Sequence, residues 1–289
     1  MMRDGPNGLK FIDVENAQAS AIICTQGAQL THWQPRSLQC PVTFMSAAAQ
    51  YNAGKPVRAG IPICWPWFGP HSTDKTQPNH GFARNLVWSA TEPVPSAGAT
   101  RLTLVLTDSE QSRSIWPNAF RLECRMSVGE TLEVELATTN TGSVPFVISE
   151  ALHTYFLIGD IGAIEVQGLD GTGYADSADG GRRKRQTGAV TFAGEVDRVF
   201  LNTEASCNIF DPLLRRRIEI AKSGSRSTVV WNPWSQKAGL FADLGSAEST
   251  RGSWRQMVCI ESANALDNAL TLAPGQHHSM AVKYRVHGL

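Results

Sequence analysis

The sequence predicts an all-β fold, a large antiparallel sandwich assembled from many short strands. Three observations carry this prediction. Apolar residues recur with a period of two along most of the chain, the alternating runs are bounded by Gly, Pro, Asp or Ser, and no long stretch has a convincing helical period. Strands without interleaved amphipathic helices favour sheets packed on sheets over a βαβ architecture.

In chain order, Arg101 to Thr107 is the first clear alternating run. In Arg121 to Val128, the residues Leu122, Cys124, Met126 and Val128 share one face. Beyond a turn signal at Gly129 and Glu130, Leu132, Val134 and Leu136 repeat the pattern, which predicts a β-hairpin. Glu150 to Phe156 reads as a further strand, with Ala151, His153 and Tyr155 on one face and Leu152, Thr154 and Phe156 on the other. Gly171 to Gly188 is the most loop-like segment, and its Arg182, Arg183, Lys184, Arg185 run reads as a solvated surface excursion. Strands follow at Cys207 to Phe210, Ile218 to Ala221, Thr228 to Trp231, Met257 to Glu261 and Met280 to Val286. Arg215, Arg216 and Arg217 read as solvated charges at a hairpin end. No strong boundary interrupts the series, so a single domain over residues 1–289 is expected.

Composition narrows the function. The chain has 289 residues, enough for a substantial core, and its 42% hydrophobic and 18% charged content fits a globular fold. Its 26 basic residues balance 26 acidic ones, so no global field draws nucleic acid or an anionic membrane. Met1 to Lys10 contains Arg3, Asp4 and Lys10 and lacks the apolar core of a signal peptide. The longest charge-free aromatic stretch, Ala59 to Pro70, holds Pro62, Pro66 and Pro70 and is too short to span a bilayer as a helix. Six cysteines, at 24, 40, 64, 124, 207 and 259, show no CxxC or Cys/His ligand spacing and read as reduced thiols. A cytoplasmic protein is expected, with no nucleic-acid or membrane partner. A monomer is expected because no coiled coil or long exposed apolar strand is evident.

His153 and Glu261 are polar groups within apolar strand-like runs. Burying either unpaired costs on the order of 1 to 3 kcal/mol, so each needs a partner or a wet cleft. A histidine titrates near neutral pH and a partly desolvated glutamate moves toward that range, which suits the two as an acid/base pair. Taken singly, a satisfied structural histidine and a structural ion pair are the more ordinary readings. His32, His71, His277, His278 and His287 lack such a context and read as surface residues. The rigid aromatic stretch from Arg58 through Cys64, Trp65, Pro66, Trp67 and Phe68 reads either as a site lining, its indoles offering flat surface to a sugar, or as a packed loop cap. Arg58 and Arg84 are able to converge on an anion, since guanidinium forks match phosphate oxygens. No GxSxG elbow, phosphate loop or HExxH helix occurs, and Gly168 to Gly173 lacks the strand-to-helix setting of a dinucleotide site.

In order, VRAGIPICWPWFG (57–69), HGFAR (80–84), EALHTYFLIGDI (150–161), EVDRVFL (195–201), VVWNPW (229–234) with Lys237, CIESAN (259–264) and LAPGQ (272–276) resemble the glucose-6-phosphate 1-epimerase family. These are the hexose-6-phosphate mutarotases of the aldose 1-epimerase superfamily, and the resemblance spans nearly the whole chain. It implies a galactose-mutarotase-like β-supersandwich with a substrate cleft across one sheet. It also implies that His153 is the general acid and Glu261 the general base, that Arg58 and Arg84 hold the substrate phosphate, and that Asn79 and Asp197 line the sugar site. His80 is retained and is expected to orient a hydroxyl. Asn79 stands where the family usually has Gln, one methylene longer. Ala59 replaces a usual Gly and Ser262 a usual Pro. The activity implied is interconversion of the α and β anomers of a hexose 6-phosphate by ring opening and reclosure, with no metal or redox cofactor required. An epimerase for unphosphorylated aldoses and a non-catalytic carbohydrate-binding module are the alternatives.

Overall fold

The computed structural model describes residues 1–244 and 253–289. Strands dominate, and among the described residues the α-helices are the short Glu110–Ile115 and Trp234–Ala238. The expected all-β architecture of large antiparallel sheets is what is observed.

Two large sheets set the architecture. The nine-stranded one runs Glu165–Gln167, Cys207–Asp211, Arg216–Ser223, His277–Gly288, Leu132–Asn140, Phe120–Gly129, Ala99–Thr107 and Ser89–Ala90, with Val94–Ser96 also on Ala99–Thr107. The eight-stranded one runs Arg182–Arg185, Gly173–Asp176, Val196–Leu201, Ser227–Asn232, Met257–Asn264, Glu150–Leu152 and Ile63–Cys64, with Tyr155–Leu157 also on Met257–Asn264. A four-stranded meander, Met2–Asp4, Lys10–Glu15, Ala19–Cys24 and Gln29–Pro35, precedes both.

The hairpin forms as its alternation requires. Leu132 pairs with Val128 and Leu136 with Cys124, and both inward rows are buried. Those rows join one hydrophobic core that continues beneath the eight-stranded sheet. There Phe156 meets Tyr284 edge to face at 5.5 Å, and the Thr154 and Tyr284 hydroxyls lie 2.6 Å apart. Removal of this apolar surface from water drives the packing, while the hydroxyl pair satisfies two polar groups that the same burial would otherwise strand.

Four expectations need correction. The run from Glu150 to Phe156 is two strands, because His153 N–H donates to Pro62 O and Thr154 N–H to Leu152 O, which interrupts the ladder between them. The face assignment survives the break. The presumed excursion around residues 171–188 contains two paired strands, and Arg182–Arg185 is an exposed, wholly cationic edge strand of the eight-stranded sheet. Repulsion along such an edge discourages pairing with another chain. Arg216 is buried, since strand alternation turns it inward to donate to Leu157 O at 2.6 Å and Pro41 O at 3.1 Å. Of the five histidines read as surface residues, only His277 is exposed and the others are half-buried. His278 reaches the buried Glu150, His287 reaches Glu219, and His71 packs on Trp67.

Candidate active site

Strand register brings the first two functional side chains together. Leu152 pairs with Ser262 before the break and Tyr155 with Cys259 after it, so His153 falls opposite Glu261. Directly opposed residues on one face of an antiparallel pair are close neighbours. The next row across the same face is Tyr155, Cys259, Trp231 and Asp197, in consecutive cross-strand partnership. Thr154 and Phe156 point the other way, into the core against Tyr284. The row containing His153 and Glu261 therefore faces away from the nine-stranded sheet.

Loops wall this face into a cavity of about 280 Å³. Arg58, Pro62, Phe68, Asn79, His80 and Arg84 come from the early loops, and Lys237, Phe241 and Asp243 from the segment that follows Ser227–Asn232. All seven residues singled out in the sequence, Arg58, Asn79, His80, Arg84, His153, Asp197 and Glu261, line this one cavity. A larger groove of about 550 Å³ crosses the outer face of the nine-stranded sheet. There Arg125 pairs with Glu135 at 3.1 Å and Lys283 with Glu133 at 2.5 Å, and none of the residues singled out in the sequence lines it.

The early loops are held by backbone contacts that glycine permits. Gly81 has φ +74°, and a Cβ there would stand 2.0 Å from Trp65 O. That close approach lets Phe82 and Ala83 N–H donate to Trp65 O, and it fixes the neighbouring His80 in the site. His80 itself has φ +63°. Its Nδ1 accepts from Gly69 N–H at 3.1 Å, so the remaining ring proton sits on Nε2. Burial, with Arg84 and Arg58 adding to it, pushes the His80 pKa down to about 3. His80 is thus a neutral donor at physiological pH.

His153 and Glu261 are close but not bonded. His153 Nδ1 lies 3.4 Å from Glu261 Oε1, and both His153 Nδ1 and Glu261 Oε2 are buried without a hydrogen-bond partner among the described residues. Such orphaned atoms are rare in folded proteins and expensive, so their presence in a cavity points to a ligand that completes them. Burial pushes the Glu261 carboxyl well above its ordinary range, Asp197 adds to this, and Arg84 opposes it. Burial drives His153 well below its ordinary value, assisted by His80, Arg84 and Arg58. Both shifts favour the uncharged forms, the carboxyl of Glu261 and the neutral imidazole of His153. Tyr155 stacks parallel to the His153 ring at 4.8 Å, and Trp231 meets both rings edge on at 6.0 and 6.2 Å.

The charged periphery is more elaborate than the sequence suggests. Arg58 Nε donates to both carboxylate oxygens of Asp243 at 2.9 Å, and its Nη1 donates to Tyr155 Oη at 3.4 Å. Arg84 Nη2 donates to Asn79 O at 2.6 Å. Lys237 Nζ lies 2.5 Å from Glu195 and 3.5 Å from Asp197. Burial raises the Asp197 pKa, while Lys237 and a hydrogen bond from Ser177 pull the other way. Trp65 and Trp67 are buried and line no part of the cavity, so these two indoles are a packed cap, while Arg58, Pro62 and Phe68 of the same stretch line the site. Trp65 wedges against Phe82, Trp116 and Phe120, and the indole in the cavity is Trp231. The site residues missed in the sequence are Tyr155, Trp231, Lys237 and Asp243. Tyr155 was signalled by its parity with His153. Trp231 becomes visible once its strand is set beside Cys259, whereas Asp243 carries no local signal.

The profile of the aldose 1-epimerase family matches residues 10–285. A protein of Cenchrus ciliaris with the provisional name glucose-6-phosphate 1-epimerase is 34% identical over 94% of this chain and 83% of its own length. One of Salmonella typhimurium with the same provisional name is 35% identical over 89% of this chain and 84% of its own length. The crystal structure of a provisionally described mutarotase, YeaD, from Salmonella typhimurium superposes with a TM-score of 0.91 at 31% identity, covering 100% of this chain and 93% of that one.

Proposed function

The chain belongs to the aldose 1-epimerase family, and on that premise we propose that it interconverts the α and β anomers of glucose 6-phosphate. What carries the reading is the opposition of His153 and Glu261 across two strands, each with an unpartnered buried atom, in a cavity that also holds Arg58 and Arg84. The provisional names of the relatives agree with it. Two arginines match the phosphate dianion, and Asp197, His80 and Asn79 offer one carboxylate, one fixed N–H donor and one amide to the sugar hydroxyls.

Ring opening needs one proton taken from the anomeric hydroxyl and one delivered to the ring oxygen. Glu261 serves as base and His153 as acid. This assignment places the proton of the pair on His153, against the direction in which burial shifts both groups. The substrate supplies the difference. A phosphate dianion between Arg58 and Arg84 offsets two of the charges that depress His153, and the sugar hydroxyls hydrogen-bond the Glu261 carboxylate. The proton then moves to His153, the ring opens to the aldehyde, rotation about C1–C2 exposes its other face, and closure reverses both transfers. The enzyme ends with the proton count it began with. Acid and base terms of roughly 10² to 10⁴-fold each, added to orientation, are adequate for a reaction that already proceeds in water.

Polarimetry, or NMR exchange between the anomeric protons of glucose 6-phosphate, tests the reading. Wild-type protein should accelerate exchange, and His153→Ala and Glu261→Gln should abolish the acceleration. Equal exchange with and without protein would overturn it. An enzyme for free aldoses would instead act on glucose or galactose and be spared by Arg84→Ala.

A further inference from the structure

Arg58 is held on three sides. Its Nε donates to both oxygens of Asp243 at 2.9 Å, its Nη1 donates to Tyr155 Oη at 3.4 Å, and its guanidinium lies over the Phe241 ring at 4.4 Å. The Asp243 backbone is tied in turn, since its carbonyl accepts from Ser46 Oγ. Arg84 is held differently, by the carbonyl of Asn79, and has no carboxylate partner among the described residues.

A carboxylate beside an anion site repels the anion, so charge alone argues against Asp243 in this place. Geometry argues for it. An arginine side chain has many rotamers, and one left free must be ordered when a phosphate arrives. Engaging Nε sets the edge that Nε shares with Nη2 toward Asp243 and turns the far end of the guanidinium, where Nη1 and Nη2 each carry an N–H, away from it. Nη2 makes no hydrogen bond among the described residues, Nη1 keeps a second N–H beside the one given to Tyr155, and the planar end they form is the fork that receives two phosphate oxygens. Tyr155 carries the restraint further, because it stacks on His153 at 4.8 Å and so fixes the phosphate end of the cavity relative to the reacting end.

We infer that Asp243 is a positioning residue, which holds the Arg58 guanidinium in the orientation that receives the phosphate of the substrate. This rests on the hexose-phosphate reading above. The sign of one measurement separates positioning from simple charge. Removing a negative group from a phosphate site should lower KM if charge governs, and should raise it if orientation governs.

The test is steady-state anomer exchange of glucose 6-phosphate with Asp243→Ala and Asp243→Asn, beside calorimetric titration of each protein with inorganic phosphate. Asp243→Ala should raise KM about tenfold with kcat held within about threefold, and phosphate should bind correspondingly more weakly. Asp243→Asn keeps one acceptor for Arg58 Nε and should recover part of the loss. A KM that falls or stays level in both variants, or a fall confined to kcat, overturns the inference. Thermal midpoints show whether either variant folds as the wild type does. Wild-type protein that fails to accelerate exchange removes the hexose-phosphate reading instead. The phosphate titration then decides Asp243 alone, with weaker binding in both variants supporting positioning and equal or tighter binding overturning it.

Discussion

Two glutamate–histidine pairs sit almost side by side, one made and the other left open. Glu150 and His278 meet at 3.1 Å, and Asn264 donates to the same glutamate oxygen at 2.9 Å. His153 and Glu261 stand 3.4 Å apart without a hydrogen bond. Both glutamates are fully buried. Strand parity decides which is which. Glu150 and His153 are an odd number of residues apart, as are Glu261 and Asn264, so the two pairs occupy opposite faces of the same sheet. One closes the space toward the strand His277–Gly288, and the other opens onto the cavity. The hydrogen bond that His278 donates to Glu150 outweighs burial and raises the His278 pKa, whereas burial and a positive neighbourhood lower that of His153. The histidine is thus tied in the first pair and open in the second, while one oxygen of each glutamate, Glu150 Oε2 and Glu261 Oε2, is buried without a hydrogen-bond partner among the described residues.

The most forceful way to break this comparison is to neutralise the open pair. Glu261→Gln should cost roughly 10² to 10⁴-fold in kcat while leaving the thermal midpoint equal or higher, because a neutral amide is easier to bury than a carboxylate. The sign of its pH dependence follows from linkage. The folded pKa of Glu261 is raised above the ordinary 4.5, so burial of its charged form costs stability progressively as pH rises from that value toward the folded one. The stability advantage of Glu261→Gln should therefore widen over that window. A midpoint that falls sharply at every pH would mark the open pair as structural.

The made pair should respond in the opposite way. Glu150→Ala leaves Asn264 and His278 without their acceptor and should lower unfolding free energy by about 1 to 3 kcal/mol in urea melts. The kcat should stay within about twofold, since Glu150 faces away from the cavity. Lost kcat with intact stability would mean that the two pairs act as one unit.

Much of this contrast was legible in the sequence. The alternation at Leu122 to Leu136 marks a hairpin that forms, with Leu132 on Val128, and the apolar surroundings of His153 and Glu261 mark both as anomalous. Parity placed Tyr155 with His153. The gaps lie where long-range contacts override local pattern. Three consecutive arginines look alike, yet Arg216 alone is turned inward to meet the carbonyls of Leu157 and Pro41. His278 reads as an ordinary surface histidine until its strand is laid against Asn264 and Glu150. Asp243 reaches Arg58 across 185 residues of chain, and no local feature announces the contact. The break at His153 is also nonlocal, since Pro62 O takes the N–H that a continuous ladder would use.

The smallest expected effect is the most discriminating about sign. His278 faces Glu150, the Asn264 amide and the backbone of Gly224, and its folded pKa is raised above the ordinary 6.5. Its charge-dependent stabilisation is therefore fully present below that ordinary value and is lost as pH rises through the raised one. Wild-type protein should exceed His278→Gln in unfolding free energy by less than about 1 kcal/mol near pH 6, because the ring is partly solvated, and the excess should vanish near pH 9. Urea melts at the two pH values measure it. A pH-independent excess would assign the tie to a neutral hydrogen bond. An excess that grows with pH would require a lowered His278, like His153, and the two pairs would then share one electrostatic environment despite their opposite faces.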